Sequence, residues 1–326
     1  MRVRIDDETT ERWNARDRSL DSQLPERKFA TVDGALIERN SGSAISAVGL
    51  PSRVALCADA PEALWGALQR DQLELRWDGD TTALNTLLDR WVERVEGDLG
   101  PEDEWETAME LVVPARDSAA AIPLLAHGFA VVGAIGIRVG RRGTDPSAAE
   151  ARLKARGYTL RQASLADVSI LAELDVELLA HDSQHGSVTI RPGAAAILAD
   201  GIRERLEQDP EWTWLLERQG EVAGYLSIEF DRERHRAECS AAAGGEIQGG
   251  AGAAPVGYIQ AMYLREEVRG AGIGESVVEF GHGRLEAAGV ERVLLGYAAI
   301  NPRSGPFWCR MGYRPLWNSW QRRPAT

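Results

Sequence analysis

The sequence predicts a mixed α/β chain folded as two tandem units, on three observations. First, 326 residues are more than one ordinary core needs and suit two. Second, strand-like and helix-like segments alternate along the chain, including a strand, glycine turn, helix and strand in succession over residues 257–297. Third, a stretch ending at Gly128 in the first half is echoed at equal spacing by one ending at Gly312 in the second.

Taken in order, residues 1–50 are polar and are expected to form a partly mobile N-terminal arm. A helix is predicted from a cap at Thr81 or Thr82 to about Val95, with Leu84, Leu87, Leu88, Trp91, Val92 and Val95 on one face. Glu110–Val113 reads as a strand. A helix from Asp117 ends at His127-Gly128, and Phe129–Val139 reads as β-rich. The charged, Gly- and Pro-containing run 141–154 reads as a linker between a first unit, 51–140, and a second, 155–326. In the second unit, Tyr158–Arg161 is a strand and Asp167–Ala180 a helix, and another helix follows Pro192. Trp212–Glu217 and Glu221–Phe230 form a hairpin turning at Gln219-Gly220. The Gly- and Ala-rich run 239–254 has too few side chains to pack and is expected to be a flexible surface loop.

Charge and composition exclude some functions. The net charge of −13 argues against a nucleic-acid partner, because phosphate binding needs a basic surface. Residues 1–140 hold 25 of the 50 acids but only 15 of the 37 bases, so most of the acidic excess belongs to the first unit and the second is nearly neutral. No apolar stretch is long enough to span a bilayer, and the first twenty residues lack the apolar core of a secretory signal. A cytoplasmic location, with no membrane partner, is expected. Cys57, Cys239 and Cys309 have neither paired nor zinc-ligand spacing, so no metal site is expected.

The chemistry concentrates in residues 257–313. Gly257–Leu264 suits a buried strand, Arg269-Gly270-Ala271-Gly272-Ile273-Gly274 follows, and a helix then runs to Ala288 before the strand Val290–Tyr297. Glycines at 270, 272 and 274 let successive backbone N–H groups face one side, and the helix start adds unpaired donors and the positive end of its dipole. Arg269 adds a full charge. Such a turn suits a diphosphate. A dinucleotide fold would need a βαβ repeat before it and an acid closing the next strand, where this chain has Tyr297-Ala298-Ala299.

Met262–Gly274 (MYLREEVRGAGIG) resembles the acyl-CoA pyrophosphate loop of the GNAT superfamily of N-acetyltransferases, with Arg269, Gly272 and Gly274 at its Arg/Gln-x-x-Gly-x-Gly/Ala positions. Asn301 through Phe307 and Trp308 to Met311-Gly312-Tyr313 resembles the family's second CoA segment. The resemblance implies tandem GNAT-like domains, each a mixed, mostly antiparallel twisted sheet flanked by helices. It implies acetyl-CoA as donor and direct attack by an amine, with a small molecule or a peptide as acceptor. Met262, Tyr263 and Leu264 would pair with the pantetheine arm, and the backbone from Arg269 through Gly270, Ala271, Gly272 and Ile273 to Gly274 would hold the diphosphate. Asn301 would bond the pantetheine region, and Phe307 and Trp308 would flank the thiol.

Many members of the family carry a tyrosine, as acid toward the departing thiolate, where this chain has Trp308. Tyr297 and Ser304 are the substitutes by position, and Glu229, at a strand end, is the candidate base. His181 and Asp182, with His185, occupy the loop that lines the acceptor site in the family. The echo of Asp117–Gly128 with Asn301–Gly312 makes the first unit a candidate degenerate copy, since nothing in 51–140 resembles the glycine turn. A non-catalytic acyl-CoA sensor, or an enzyme using a longer acyl-CoA, stands as the alternative. The oligomer expected is a monomer or homodimer.

Overall fold

A computed structural model describes residues 3–28, 31–32, 34–98, 104–186, 188–230 and 255–325. The run 239–254, expected to be a loop, lies outside them. The N-terminal half runs β1 (Val3–Arg4), α1 (Asp7–Leu20), β2 (Thr31–Val32), β3 (Leu36–Arg39), β4 (Ile45–Ala55), β5 (Gln69–Trp77), α2 (Thr81–Asp98), β6 (Thr107–Pro114), α3 (Ala121–Ala126) and β7 (Ala130–Val139). The C-terminal half runs α4 (Pro146–Ala155), β8 (Tyr158–Gln162), α5 (Val168–Asp182), α6 (Ala194–Gln208), β9 (Thr213–Arg218), β10 (Glu221–Glu229), β11 (Val256–Leu264), α7 (Ile273–Ala287), β12 (Arg292–Ala298), α8 (Ser304–Arg310) and β13 (Arg314–Arg322).

From β3 to β7 and from β9 to β13 the two halves repeat one order: three strands, a helix, a strand, a short helix and a last strand. In both, the first three strands pair antiparallel, and the strand after the long helix pairs parallel to the third. The echo has a structural counterpart. Asp117 donates its backbone N–H to Pro114, where β6 ends, and Asn301 does the same to Ala298, where β12 ends. Gly128 and Gly312 both have positive φ, and each precedes a buried aromatic, Phe129 or Tyr313.

The repeats do not form two separate sheets. β7 pairs with β12 and β13 pairs with β6, so each half lends its last strand to the other. β7 and β13 pair antiparallel at the centre, giving, among the described residues, one eleven-stranded sheet in the order β3-β4-β5-β6-β13-β7-β12-β11-β10-β9-β8. A strand donated across the junction ties both halves into one hydrogen-bonded ladder, which periodicity along the chain cannot reveal.

Helices cover the sheet. α2 buries Leu84, Leu87, Leu88, Trp91 and Val95 against the N-terminal strands, and its cap is Asp80, whose carboxylate accepts from Thr82 and Ala83, rather than Thr81 or Thr82. In the C-terminal half, α4 and α7 pack on one face of the sheet and α5 and α6 on the other. The 141–154 run is not simply a linker. Asp145 caps α4, Pro146 takes its first turn, and Leu153 enters the core. Nor is 1–50 only an arm, because β3 and most of β4 belong to the large sheet and α1 packs beneath them with Trp13 fully buried.

Candidate active site

β11 and β12 pair only from Val256↔Arg292 to Ile259↔Leu295 and then part. Among the described residues, the β12-facing edge of Gln260–Leu264 is thereby left without a strand partner. At the point of parting β11 carries a bulge: Ser227 faces Ala261 but Ile228 faces Ile259, so Gln260 is an extra residue that interrupts the ladder. The sequence reading missed Gln260, since a bulge leaves no compositional signal.

The glycine turn lies at the open end of this divergence. Gly272 caps α7 at φ 72° and Gly270 sits at φ 83°, a conformation that costs a side-chain-bearing residue about 1 kcal/mol or more. The first amides of α7 have no partner within the helix and are available to an anion. Gly274 faces crowded space, since a Cβ there would lie 3.2 Å from the flexible end of Met262 and 3.5 Å from Phe307. Arg269 donates from Nε to the Leu264 carbonyl (2.7 Å), and its guanidinium lies 5.1 Å from the Tyr263 ring centroid. Arg156, at the end of α4, donates to the Ala271 carbonyl and is a second cation at the turn that the sequence reading missed.

A cavity of about 1650 Å³ runs from this turn across the divergent strands. Met262, Tyr263, Leu264, Arg269, Gly270, Gly272 and Gly274 line it, as do Phe307 and Trp308, so the turn faces a cleft and is not packed away. Ala271 and Ile273 belong to the same turn, with Ile273 buried against the C-terminal core. Trp308 is 8% exposed and packs edge-on to Phe307 and Tyr313. It offers a wall and no acid.

Glu229, Tyr297, Ser304, His181 and Asp182 all line the same cavity. Glu229 stands opposite Tyr258 at the end of β10. Tyr297 lies near the start of α8, its ring 3.6 Å from where a Gly305 Cβ would be. Burial, then the nearby Cys309, raises the Tyr297 phenol above its ordinary value, so it stays protonated at neutral pH. Burial and Arg269 lower His181, with Asp182 opposing, so its imidazole is biased to the neutral form. Burial raises the Asp182 carboxyl, opposed by His181, His185 and a hydrogen bond from Asn301. Asn301 lines the cavity and is also engaged locally. Its side-chain oxygen accepts from the backbone of Arg303 (3.0 Å) and Ser304 (3.2 Å), opening α8, and its amide serves Asp182.

The matching place in the N-terminal half is already filled. β5 and β6 also part after Leu73↔Leu111. The space between them holds only about 10 Å³, lined by Arg16, Asp17 and Arg27 from α1 and the segment after it. Arg16 binds both carboxylate oxygens of Asp117 (2.8 and 2.6 Å), to which the Trp77 indole also donates (3.0 Å). Where the C-terminal half has its glycine turn, this half has Asp78-Gly79-Asp80, whose carboxylates take the local amides themselves.

Residues 183–313 match the family model described as Acetyltransferase (GNAT) family. The C-terminal half contains a GNAT domain. In overall structure the chain is similar to a GCN5-related N-acetyltransferase from Sphaerobacter thermophilus, at 14% identity and TM-score 0.51, covering 89% of this chain and 80% of that one. A tandem GNAT protein from the clavulanic acid biosynthesis pathway aligns at 14% identity and TM-score 0.46, covering 99% and 98%. A search of curated proteins finds no match. Among the described residues, no helix is long and apolar enough to cross a membrane, and no group of three or more His, Cys, Asp or Glu could hold a metal ion.

Proposed function

We propose that the protein is an acetyl-CoA-dependent N-acetyltransferase acting on a primary amine. The observation that supports this most strongly is the parting of β11 from β12 directly in front of the Gly270–Gly274 turn. An unpaired strand edge suits the amides of a pantetheine arm, and a helix start with bare amides suits a diphosphate. Arg156 and Arg269 add positive charge at that end.

In this reading the GNAT domain positions donor and acceptor and supplies charge where it develops. Backbone N–H groups freed around Gln260 would polarise the thioester carbonyl. The neutral amine attacks the carbonyl carbon, the C–S bond breaks, and CoA leaves as thiolate. Glu229 would take the proton the amine releases. Tyr297, held protonated by burial, would return a proton to the thiolate, the part Trp308 cannot play. Because free thiols have pKa near 8.5, unaided departure is tolerable, and loss of Tyr297 should cost less than loss of the base.

Thiol release from acetyl-CoA, followed with a panel of primary amines and peptides, tests the reading. Turnover of at least one amine, reduced about a hundredfold by Glu229→Gln and less by Tyr297→Phe, is expected. Tight acetyl-CoA binding with no release on any amine would leave a sensor module instead, and release only from longer acyl-CoAs would change the donor.

A further inference from the structure

The cavity is not built by the C-terminal half alone. A short turn at Pro61–Trp65 in the N-terminal half places Glu62 and Trp65 on its wall, the indole 46% exposed. Beneath it, Leu64 packs on Leu179 of α5 and Ala194 of α6. The chain between α5 and α6 is pinned to this turn. Thr189 donates to the Leu64 carbonyl (3.1 Å). The buried Arg191 guanidinium reaches the carbonyls of Ala63 (2.7 Å) and Gly66 (3.0 Å) and both carboxylate oxygens of Glu106 (2.9 and 2.8 Å).

Charge is divided along the cavity. The donor end carries Arg269, Arg303 and Arg310 with Glu266 and Glu275, whereas the wall made by the Pro61–Trp65 turn, α5 and the end of α6 carries Glu62, Asp175, Asp182, Glu204 and Asp209 against Arg205 and His181. Asp175, on α5, is half-buried. One of its oxygens accepts from the Tyr225 hydroxyl, and the other receives no hydrogen bond among the described residues. A carboxylate has about four lone-pair directions, so on this half-buried, cavity-lining side chain the second oxygen is open to a donor from a ligand. An exposed indole beside a carboxylate is a second feature that suits a cation. Glu229 suffices to take the proton from the reacting nitrogen, so the acids beyond it on α5, α6 and the Pro61–Trp65 turn are left to hold a second, charged nitrogen.

We infer that the acceptor carries a second positive charge, as a diamine or polyamine does, seated between Asp175 and the Glu62–Trp65 turn of the N-terminal half. The inference rests on the acyl-transfer reading of the cavity. Arg191 and Glu106 are positioning residues for this wall.

The test compares diamines of three to six carbons and spermidine with n-butylamine and 4-aminobutyrate, at saturating acetyl-CoA. At least a tenfold preference in kcat/KM for a diamine is expected over both. Asp175→Asn, which keeps an acceptor for Tyr225, and Trp65→Ala should each raise the diamine KM at least fivefold. They should leave the KM of n-butylamine and the acetyl-CoA affinity unchanged. Equal use of the three amine types, preference for 4-aminobutyrate, or variants that weaken all amines alike would overturn the inference. Calorimetry separates its failure from that of the acyl-transfer reading. If acetyl-CoA does not bind, the donor assignment fails, and the inference then stands or falls on whether any diamine binds the full chain more tightly than n-butylamine.

Discussion

Replacing Glu286 by Gln should cost about 3 kcal/mol at pH 7, because this carboxylate joins the two halves. It accepts from Arg138 of β7 (2.8 Å), from the backbone of Arg142 and Thr144, and from the Thr144 hydroxyl. Both ion-pair side chains are buried, at 3% and 7% exposure. Burial alone would raise its pKa, but the bonds from Arg138, Thr144 and Arg142 outweigh it and bring the pKa from 4.5 to about 2. That shift corresponds to roughly 3 kcal/mol, and stranding one partner of a buried pair costs about 3–5 kcal/mol, so two routes agree. The folded-state pKa is depressed, so the stabilisation is complete above the unfolded value of 4.5 and is lost as pH falls toward 2. At about 2 cal/mol/K of unfolding entropy per residue, the variant should melt roughly 4–5 °C lower at pH 7. At pH 3 the gap should shrink to less than half. A loss under about 1 kcal/mol, or a gap that does not change with pH, would refute the assignment.

Three further perturbations follow. Gly274→Leu places a side chain where the Cβ alone lies 3.2 Å from Met262, and calorimetry should show at least a tenfold loss of acetyl-CoA affinity with the fold retained by circular dichroism; unchanged affinity would move the donor elsewhere. Asp117→Ala removes a carboxylate only 1% exposed and strands Arg16, which should cost about 3–5 kcal/mol in thermal unfolding and leave acetyl-CoA affinity intact. Loss of donor binding with stability unchanged would contradict that division of labour. Glu106→Gln frees Arg191 and should raise the acceptor KM several-fold without moving the acetyl-CoA KM. Because its bond with Arg191 lowers the Glu106 pKa, this coupling should weaken as pH drops through the carboxylate range, and an effect confined to kcat would speak against it.

Much of this architecture was legible in the sequence where apolar spacing carries it. The face of α2 and the order of strand, glycine turn, helix and strand from β11 to β12 stand where the spacing put them. α1 was not legible, because Trp13 and the terminal Leu20 are its only large apolar residues and its buried face also includes Thr9, Asn14 and Asp17. That helix fills a polar cleft, where Arg76 bonds Asn14 (2.9 Å) and Arg27 approaches Asp17 (3.3 Å), and no hydrophobic period marks such a contact. α4 had a signal, an Asp145 cap before Pro146, that the charge and glycine around it obscured. The exchange of β7 and β13 was beyond local reasoning, since either half alone could have closed its own sheet. At the site, the turn and the second segment were visible as motifs. Arg156, Gln260 and the Glu62–Trp65 wall were not, because each depends on contacts between segments distant in sequence.

The proposed function implies a single donor site, in the C-terminal cleft, its N-terminal counterpart being occupied by side chains of α1 and the segment after it. Calorimetric titration of the full chain with acetyl-CoA measures this directly. One equivalent bound per chain is predicted. Two equivalents, or none, would contradict it.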